Sequence, residues 1–122
     1  MEEEGEVMHG KKFDTGKLDW SVIPLEILEP LVEVFMAGER KYGYLNCLRE
    51  FENGDRRFFA AAMRHAVDCQ LEPLARDEET GCFHEAQAAW NHLMRLYHAK
   101  RKGIENDSMV KAADLQDQGA QV

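Results

Sequence analysis

The feature that most constrains this chain is a run from about Phe83 to Lys102 in which polar and apolar residues recur with the period of an α-helix. One side of this predicted helix carries His84, Gln87, Asn91, Arg95 and His98. The opposite side carries Ala86, Ala89, Trp90, Leu93, Leu96 and Tyr97. The polar side combines hydrogen-bond donors with acceptors, whereas a solvated face usually favours Glu and Lys. The pattern therefore fits either a stripe that lines a pocket or one that faces solvent.

Two earlier segments also have helical periodicity, and they are separated by a loop that runs through Gly43 and Asn46 to Gly54. The predicted helices run from about Pro24 to Lys41 and from about Asp55 to Glu72. Pro30 falls inside the first helix and is expected to kink or restart it near Glu29. Because strand-like alternation is nowhere sustained, the sequence predicts an all-α fold. A bundle of three helices this small often completes its core against a partner subunit, so we expect a homo-oligomer.

Charge and composition divide the chain into a central domain and two polar ends. The 122 residues, 44% of them hydrophobic, can bury one hydrophobic core. Residues 1–10 are predicted to be a disordered acidic tail, residues 11–103 the folded helical domain, and residues 104–122 a polar C-terminal tail. The net charge of −8 is carried mostly by the two ends. This argues against direct nucleic-acid binding, which needs clustered Lys and Arg, but allows a local basic pocket for a small polyanion.

The cysteines and the N-terminus indicate where such a chain resides. Cys47, Cys69 and Cys82 are odd in number and form no C-x-x-C pair, which argues against a disulfide framework and a zinc knuckle. No run of about 18 apolar residues is present, and acidic residues stand where a signal peptide needs basic ones. We therefore expect a cytoplasmic chain without membrane contact, in the host cytoplasm if the protein is viral.

The second predicted helix places an imidazole beside a carboxylate. Arg64, His65 and Asp68 share one side of this helix, and His65 and Asp68 are three residues apart. That spacing suits metal ligation or the orientation of a His tautomer. A structural salt bridge between Arg64 and Asp68 is the competing interpretation.

The first predicted helix carries carboxylates at intervals of three and four residues, namely Glu26, Glu29 and Glu33. Leu28, Leu31 and Phe35 are expected to point inward. Neighbouring carboxylates could hold Mg²⁺ or Mn²⁺, ions that prefer oxygen ligands and often share their remaining positions with substrate phosphates. The competing interpretation is an ordinary solvated face.

The end of this helix reads Gly38-Glu39-Arg40-Lys41-Tyr42-Gly43. Arg40 and Lys41 could contact phosphate, and Tyr42 could stack on a base. Alternatively, the two cations complement the helix dipole, and Gly43 forms the C-cap.

Several short motifs occur in an order and spacing that resemble those of a known family. They are Lys12–Trp20 with Ile23-Pro24, Gly38–Gly43 with Asn46, Arg64-His65, and Thr80–His84 with Ala88–Asn91. Together they resemble the dATP/dGTP diphosphohydrolase N-terminal-domain family, found widely in phages, over roughly residues 12–100. The resemblance implies a MazG-like helical fold, a homodimer or homotetramer, and metal-dependent cleavage of a purine deoxynucleoside triphosphate to monophosphate and pyrophosphate. In phages such enzymes can supply dGMP to a pathway that replaces adenine with 2-aminoadenine.

The resemblance also assigns candidate roles. The expected catalytic residues are His65, Arg64 and Lys41. The expected ligands of Mg²⁺ or Mn²⁺ are Glu29, Glu33 and Asp68. The expected purine-nucleotide contacts are Lys17, Arg40, Tyr42, Asn46, His84, Gln87 and Asn91.

The chain departs from the family pattern at three places. MazG-like enzymes usually show E-x-x-E followed by E-x-x-D. Here Glu26-x-x-Glu29 fits the first half, and His65-x-x-Asp68 is the nearest counterpart of the second. Cys47 stands where the family tends to have Trp, and Gln87 where it tends to have a second His.

These departures leave a second hypothesis open, a non-catalytic phage protein that binds and sequesters a host immune signalling nucleotide. A third is an interaction module whose polar stripes face water. The two nucleotide hypotheses require the imidazole, amide and carboxylate groups of separate helices to converge in one cleft.

Overall fold

The computed structural model describes the backbone of residue 5 and of residues 7–120, with side chains as far as residue 104. Three α-helices follow one another, α1 (Glu29–Tyr42), α2 (Gly54–Asp68) and α3 (His84–Ala120). Short 3₁₀ turns occupy Trp20–Val22, Leu25–Leu28 and Asn46–Leu48. The described residues contain no β-strand, only an isolated bridge between Arg76 and Phe83. The predicted all-α class is confirmed.

The first predicted helix is divided where Pro30 lies. The segment after Pro24 forms the 3₁₀ turn Leu25–Leu28, and the α-helix proper begins at Glu29. Pro30 is therefore in the first turn, where its missing N–H costs no hydrogen bond. The helix ends at Tyr42 and is capped by Gly43, whose φ of 97° is a backbone conformation that glycine adopts readily. The N–H of Gly43 donates to the Glu39 carbonyl at 2.9 Å. The predicted restart near Glu29 is confirmed.

The second helix is shorter than its periodicity predicts. It ends at Asp68, and the chain then turns, with the Glu72 N–H donating to the Cys69 carbonyl at 3.1 Å. Glu72 precedes Pro73, and a residue before proline is sterically disfavoured in the α conformation. The predicted end at Glu72 is therefore wrong by four residues.

The third helix is longer than predicted. It begins at His84 and continues to Ala120 instead of ending near Lys102. Gly103 does not terminate it, and many of the residues that follow, such as Glu, Lys, Ala and Gln, are good helix formers. Of the predicted polar ends, residues 1–4, 6, 121 and 122 lie outside the described residues, and so do the side chains of residues 105–120.

Helices α2 and α3 pack antiparallel, because the end of α2 meets the start of α3. His65 lies against His84 at one end of this pair, while Asp55 meets Arg95 near the other. Trp90 lies between them and packs edge-on against Phe35 of α1 and Phe58 of α2. The buried apolar residues are Val34, Phe58, Ala62, Cys69, Cys82, Ala86, Ala88 and Met94.

The polar stripe of α3 faces the protein and not the solvent. Gln87 and Asn91 are only 6% and 7% exposed, and the side chain of His84 is 12% exposed. The apolar residues that the periodicity places opposite are divided, since Ala86 is buried whereas Leu93 and Leu96 are exposed. Helix α2 likewise exposes an apolar row, which consists of Phe59, Met63 and Val67. Among the described residues, no helix is both long and apolar enough to cross a membrane.

Candidate functional site

Two imidazoles meet where α2 ends and α3 begins. The Nδ1 atoms of His65 and His84 are 2.9 Å apart, and the ring centroids are 5.1 Å apart. Asp68 stands beside them, with its Oδ2 atom 3.9 Å from Nδ1 of His84. One ligand atom from each of the three residues lies within 4.8 Å of the other two. We call this group, His65, Asp68 and His84, the imidazole cluster.

Regular backbone fixes the members of the cluster. His65 and Asp68 occupy the last turn of α2, where a separation of three residues brings side chains to one side. His84 is the first residue of α3, and its N–H donates to the Ala75 carbonyl at 3.0 Å. The turn between the helices thus sets the position of His84 relative to α2. Two residues predicted to have different roles, His65 in catalysis and His84 in substrate binding, are brought together.

Asp77 is the functional candidate that the sequence analysis did not identify. Its carboxylate accepts hydrogen bonds from the Glu79 N–H at 3.1 Å and the Thr80 hydroxyl at 3.3 Å. Burial raises the pKa of Asp77, but these hydrogen bonds, one from Gln87 and the charge of His84 outweigh it and lower the pKa overall. An Asp followed two residues later by its own backbone donor is an Asx-turn, so the Asp-x-x-Thr-Gly spacing was the available signal.

The electrostatic surroundings favour a neutral His65. Burial lowers its pKa most, and the nearby His84 lowers it further. Arg64 acts in the same direction, whereas Asp77 and Asp68 oppose it. The salt bridge considered between Arg64 and Asp68 is not formed among the described side chains, where Asp68 is paired with His84.

The two buried amides of α3 are engaged within the protein. Nδ2 of Asn91 donates to the Gln87 carbonyl at 2.8 Å, and Nε2 of Gln87 lies 3.5 Å from the Cys82 carbonyl. Both contacts tie α3 to itself and to the turn that precedes it. Nε1 of Trp90 is buried and has no partner among the described residues. The amides thus support the turn around His84, and the substrate contact expected of them stays a prediction.

One cation at the end of α1, Lys41, contacts the same turn through Glu79. Nζ of Lys41 contacts Oε1 of Glu79 at 2.5 Å and lies 5.2 Å from the Tyr42 ring centroid. Arg40 and Arg76 line a concavity of about 260 Å³ whose remaining lining residues are Glu33, Met36, Thr80, Gly81 and Cys82. The turn before His84 therefore contributes lining residues to this basic concavity, which neither His65 nor His84 lines.

The other predicted residues are placed apart from the cluster. Glu29 and Glu33 are exposed on α1, and the ion-pair partner of Glu33 is Arg76, at 4.0 Å. Among the described side chains, the predicted ligand set of Glu29, Glu33 and Asp68 is not brought together. Lys17 is exposed in the N-terminal arm, and Asn46 is half-buried at the start of a 3₁₀ turn.

The far end of the α3 stripe has structural contacts. Arg95 pairs with Asp55 at 2.7 Å, and Nε2 of His98 donates to the Cys47 carbonyl at 2.8 Å while its ring stacks on Phe58. A concavity of about 460 Å³ opens here, and neither it nor the smaller one is lined by His65 or His84. We place the site at the cluster because two imidazoles beside a carboxylate have catalytic and ligand chemistry, whereas in the larger concavity Arg95 is paired with Asp55 and His98 with a backbone carbonyl.

Comparison with known proteins adds a family and a relative. Residues 8–108 match the family described as dATP/dGTP diphosphohydrolase, N-terminal. A protein of Salmonella phage PMBT28 named dATP/dGTP diphosphohydrolase is 31% identical over 107 residues, which cover 87% of this chain and 35% of the relative. The chain thus spans about a third of the length of that relative. No solved structure matches the chain.

Proposed function

The chain belongs to the dATP/dGTP diphosphohydrolase N-terminal family, and from this membership we propose that it cleaves dATP or dGTP to the monophosphate and pyrophosphate. The phage origin of the similar protein favours a role in phage nucleotide metabolism. The observation that carries the proposal is the contact of His65 with His84, at 2.9 Å, beside Asp68. Residues from two helices meet there in the part of the chain that the family match covers.

The proposed reaction needs charge neutralisation and an activated water. The water oxygen bonds to the α-phosphorus and releases a proton to the solvent, the bond from that phosphorus to the oxygen that bridges the α and β phosphates breaks, and pyrophosphate leaves. A divalent cation, Mg²⁺ or Mn²⁺, would neutralise phosphate charge and lower the pKa of a bound water. Arg64 adjoins His65 in the chain and is exposed, so its guanidinium is available to phosphate oxygens.

The basic concavity on α1 supports the placement of a polyphosphate. Arg40 and Arg76 both line it, and Lys41 stands at the adjoining end of the helix. We propose that the triphosphate lies between the imidazole cluster and this concavity, across the turn that contains Asp77 and Thr80. Lys41 would then exchange Glu79 for phosphate, since both side chains are more than half exposed and the ion pair is weakly held.

We also propose that the chain adopts a MazG-like arrangement and forms a homodimer or homotetramer. The exposed apolar row of α2, Phe59, Met63 and Val67, supports this, because contiguous exposed apolar surface can mark a protein–protein contact. Sedimentation equilibrium of the purified chain tests it. A mass of one chain at all concentrations contradicts the proposal.

Hydrolysis is tested with the purified chain and each of the four deoxynucleoside triphosphates in the presence of Mn²⁺. Anion-exchange chromatography is expected to resolve pyrophosphate and a purine monophosphate. The variant His84→Ala is expected to lose activity at least tenfold, whereas His92→Ala, an exposed histidine on the same helix, keeps it. Circular dichroism of both variants verifies folding.

Three outcomes count against the proposal. Absence of pyrophosphate from every purine nucleotide refutes it. Binding of a purine nucleotide without turnover favours the sequestering protein instead. Equal activity of His84→Ala and the wild type would place the reaction elsewhere in the chain.

A further inference from the structure

The imidazole cluster offers two nitrogen donors and one carboxylate. Nδ1 of His65 and Nδ1 of His84 supply the nitrogens, and Asp68 supplies the oxygen. Two histidines and one carboxylate on three corners of one octahedral face, with the other positions open, form a donor set that first-row transition metals occupy. Mg²⁺, in contrast, prefers oxygen ligands and is usually held by one or two carboxylates with water.

The separation of the two nitrogens, which is also that of a hydrogen bond, is compatible with ligation of one ion. Ligand atoms about 2.1 Å from an ion lie roughly 3.0 Å apart when they subtend a right angle, and roughly 3.4 Å apart in a tetrahedron. The two Nδ1 atoms are 2.9 Å apart, which fits the octahedral edge. Asp68 is 3.9 Å from His84, and its side chain is 57% exposed and free to rotate closer.

The two imidazoles are held in this geometry by backbone and not by each other alone. His65 lies within the last turn of α2, and His84 begins α3 with its N–H bonded to the Ala75 carbonyl. Preorganised donors lose little conformational entropy when an ion arrives. Asp68, as the exposed third donor, supplies the adjustable ligand.

We propose that His65, His84 and Asp68 bind one octahedral first-row transition-metal dication, Mn²⁺, Fe²⁺ or Co²⁺, in preference to Mg²⁺. Three coordination positions then remain for water and phosphate oxygens. The function of this ion rests on the proposed hydrolysis, whereas its binding does not. The carboxylates of α1 take no part, because Glu33 is paired with Arg76 and both Glu29 and Glu33 stand apart from the cluster.

The probe is Mn²⁺, titrated into the full chain after dialysis against a chelator and followed by the electron paramagnetic resonance signal of the free ion. One Mn²⁺ per chain is expected, and a hundredfold excess of Mg²⁺ is expected to leave most of it bound. The variants His65→Ala, His84→Ala and Asp68→Asn are each expected to weaken binding at least tenfold. Circular dichroism and thermal melting establish that each variant is folded.

Two control variants distinguish this site from its alternatives. His92→Ala removes an exposed imidazole of α3, and the double variant Glu29→Gln with Glu33→Gln removes the carboxylates of α1. Both are expected to bind Mn²⁺ as the wild type does. Loss of binding in the glutamate variant, displacement by equimolar Mg²⁺, or no binding by the wild type overturns the proposal. If the wild type does not bind Mn²⁺, the contact between His65 and His84 is only a hydrogen bond.

The metal titration and the hydrolysis assay test the two proposals independently. A chain that binds Mn²⁺ through the cluster but releases no pyrophosphate refutes the proposed function and upholds the metal site. A chain that hydrolyses dGTP equally well with Mg²⁺ and in the Asp68→Asn variant upholds the proposed function and refutes a part for this ion in the reaction, while the titration alone decides whether the ion binds.

Discussion

Replacing Asp77 by Asn is expected to destabilise the folded chain by about 2 kcal/mol near neutral pH. The carboxylate accepts hydrogen bonds from the Glu79 N–H at 3.1 Å and from the Thr80 hydroxyl at 3.3 Å. A hydrogen bond to a charged group contributes roughly 1.5–3 kcal/mol, and one between neutral groups about 0.5–1.5 kcal/mol. Asn keeps the shape but loses the charge, and its NH₂ group replaces one of the two accepting oxygens, so about 1 kcal/mol is expected to be lost at each of the two contacts.

The assay is urea unfolding followed by tryptophan fluorescence, since Trp90 lies in the aromatic centre of the fold. With a denaturant slope of about 1–3 kcal/mol/M, the midpoint is expected to fall by roughly 1 M. Glu78→Gln is the matched control, because Glu78 is exposed and adjacent to Asp77. This control removes a negative charge from the same turn and is expected to leave the midpoint within about 0.3 M of the wild-type value.

The pH dependence tests the electrostatic part of the reasoning. The pKa of Asp77 is lowered in the folded chain, because its hydrogen bonds and His84 outweigh the effect of burial. The stabilisation is therefore complete above the ordinary pKa of an aspartate, about 4, and is lost as the pH falls through the lower folded value. The difference in the free energy of unfolding between the wild type and Asp77→Asn should therefore decrease below about pH 4. Equal stability of Asp77→Asn and Glu78→Gln at neutral pH, or a gap that persists in acid, would refute the assignment.

Two further substitutions separate core packing from surface charge. Phe58→Ala is expected to lower the free energy of unfolding by about 3–5 kcal/mol, because Phe58 is 8% exposed and packs against Phe51 and His98. A urea midpoint above that of Asp77→Asn would contradict this expectation. Arg95→Ala breaks the ion pair with Asp55. The side chains of Arg95 and Asp55 are 41% and 70% exposed, so the free energy of unfolding is expected to fall by less than about 1 kcal/mol, and by less still with added salt. A loss of 2 kcal/mol or more in thermal melting would show that the pair is stronger than its exposure implies.

Local patterns predicted the bounds of the first helix well because Pro and Gly residues mark its start and its end. Pro30 fixed the restart of the first helix at Glu29, and Gly43 fixed its end. The end of α2 and the extension of α3 were missed, since both depend on the competition between helix propensity and weak stop signals. Glu72 precedes Pro73, a signal that is present in the sequence, whereas Gly103 resembles a C-cap and is not one.

The sequence offered His65, Asp68 and His84 as separate candidates, but it did not predict that these three residues lie together. Periodicity placed His65 with Asp68 on one helix and His84 on another, but no periodicity relates one helix to the next. The turn that brings His84 to His65 is held by backbone hydrogen bonds such as the one from His84 to Ala75, which a single sequence does not encode in a recognisable pattern.

The α3 stripe shows why a residue type on a helix face does not determine its chemistry. His98 meets a backbone carbonyl, so its Nε2 must carry a proton and donate, and that nitrogen cannot bind a cation. His84 meets another imidazole nitrogen at 2.9 Å, where both atoms cannot carry protons without repelling each other. At least one lone pair is therefore directed into the contact, to accept a hydrogen bond or to bind a cation. The residue opposite decides the role, which is why His84 and His98, four helical turns apart on one stripe, serve as candidate ligand and structural contact respectively.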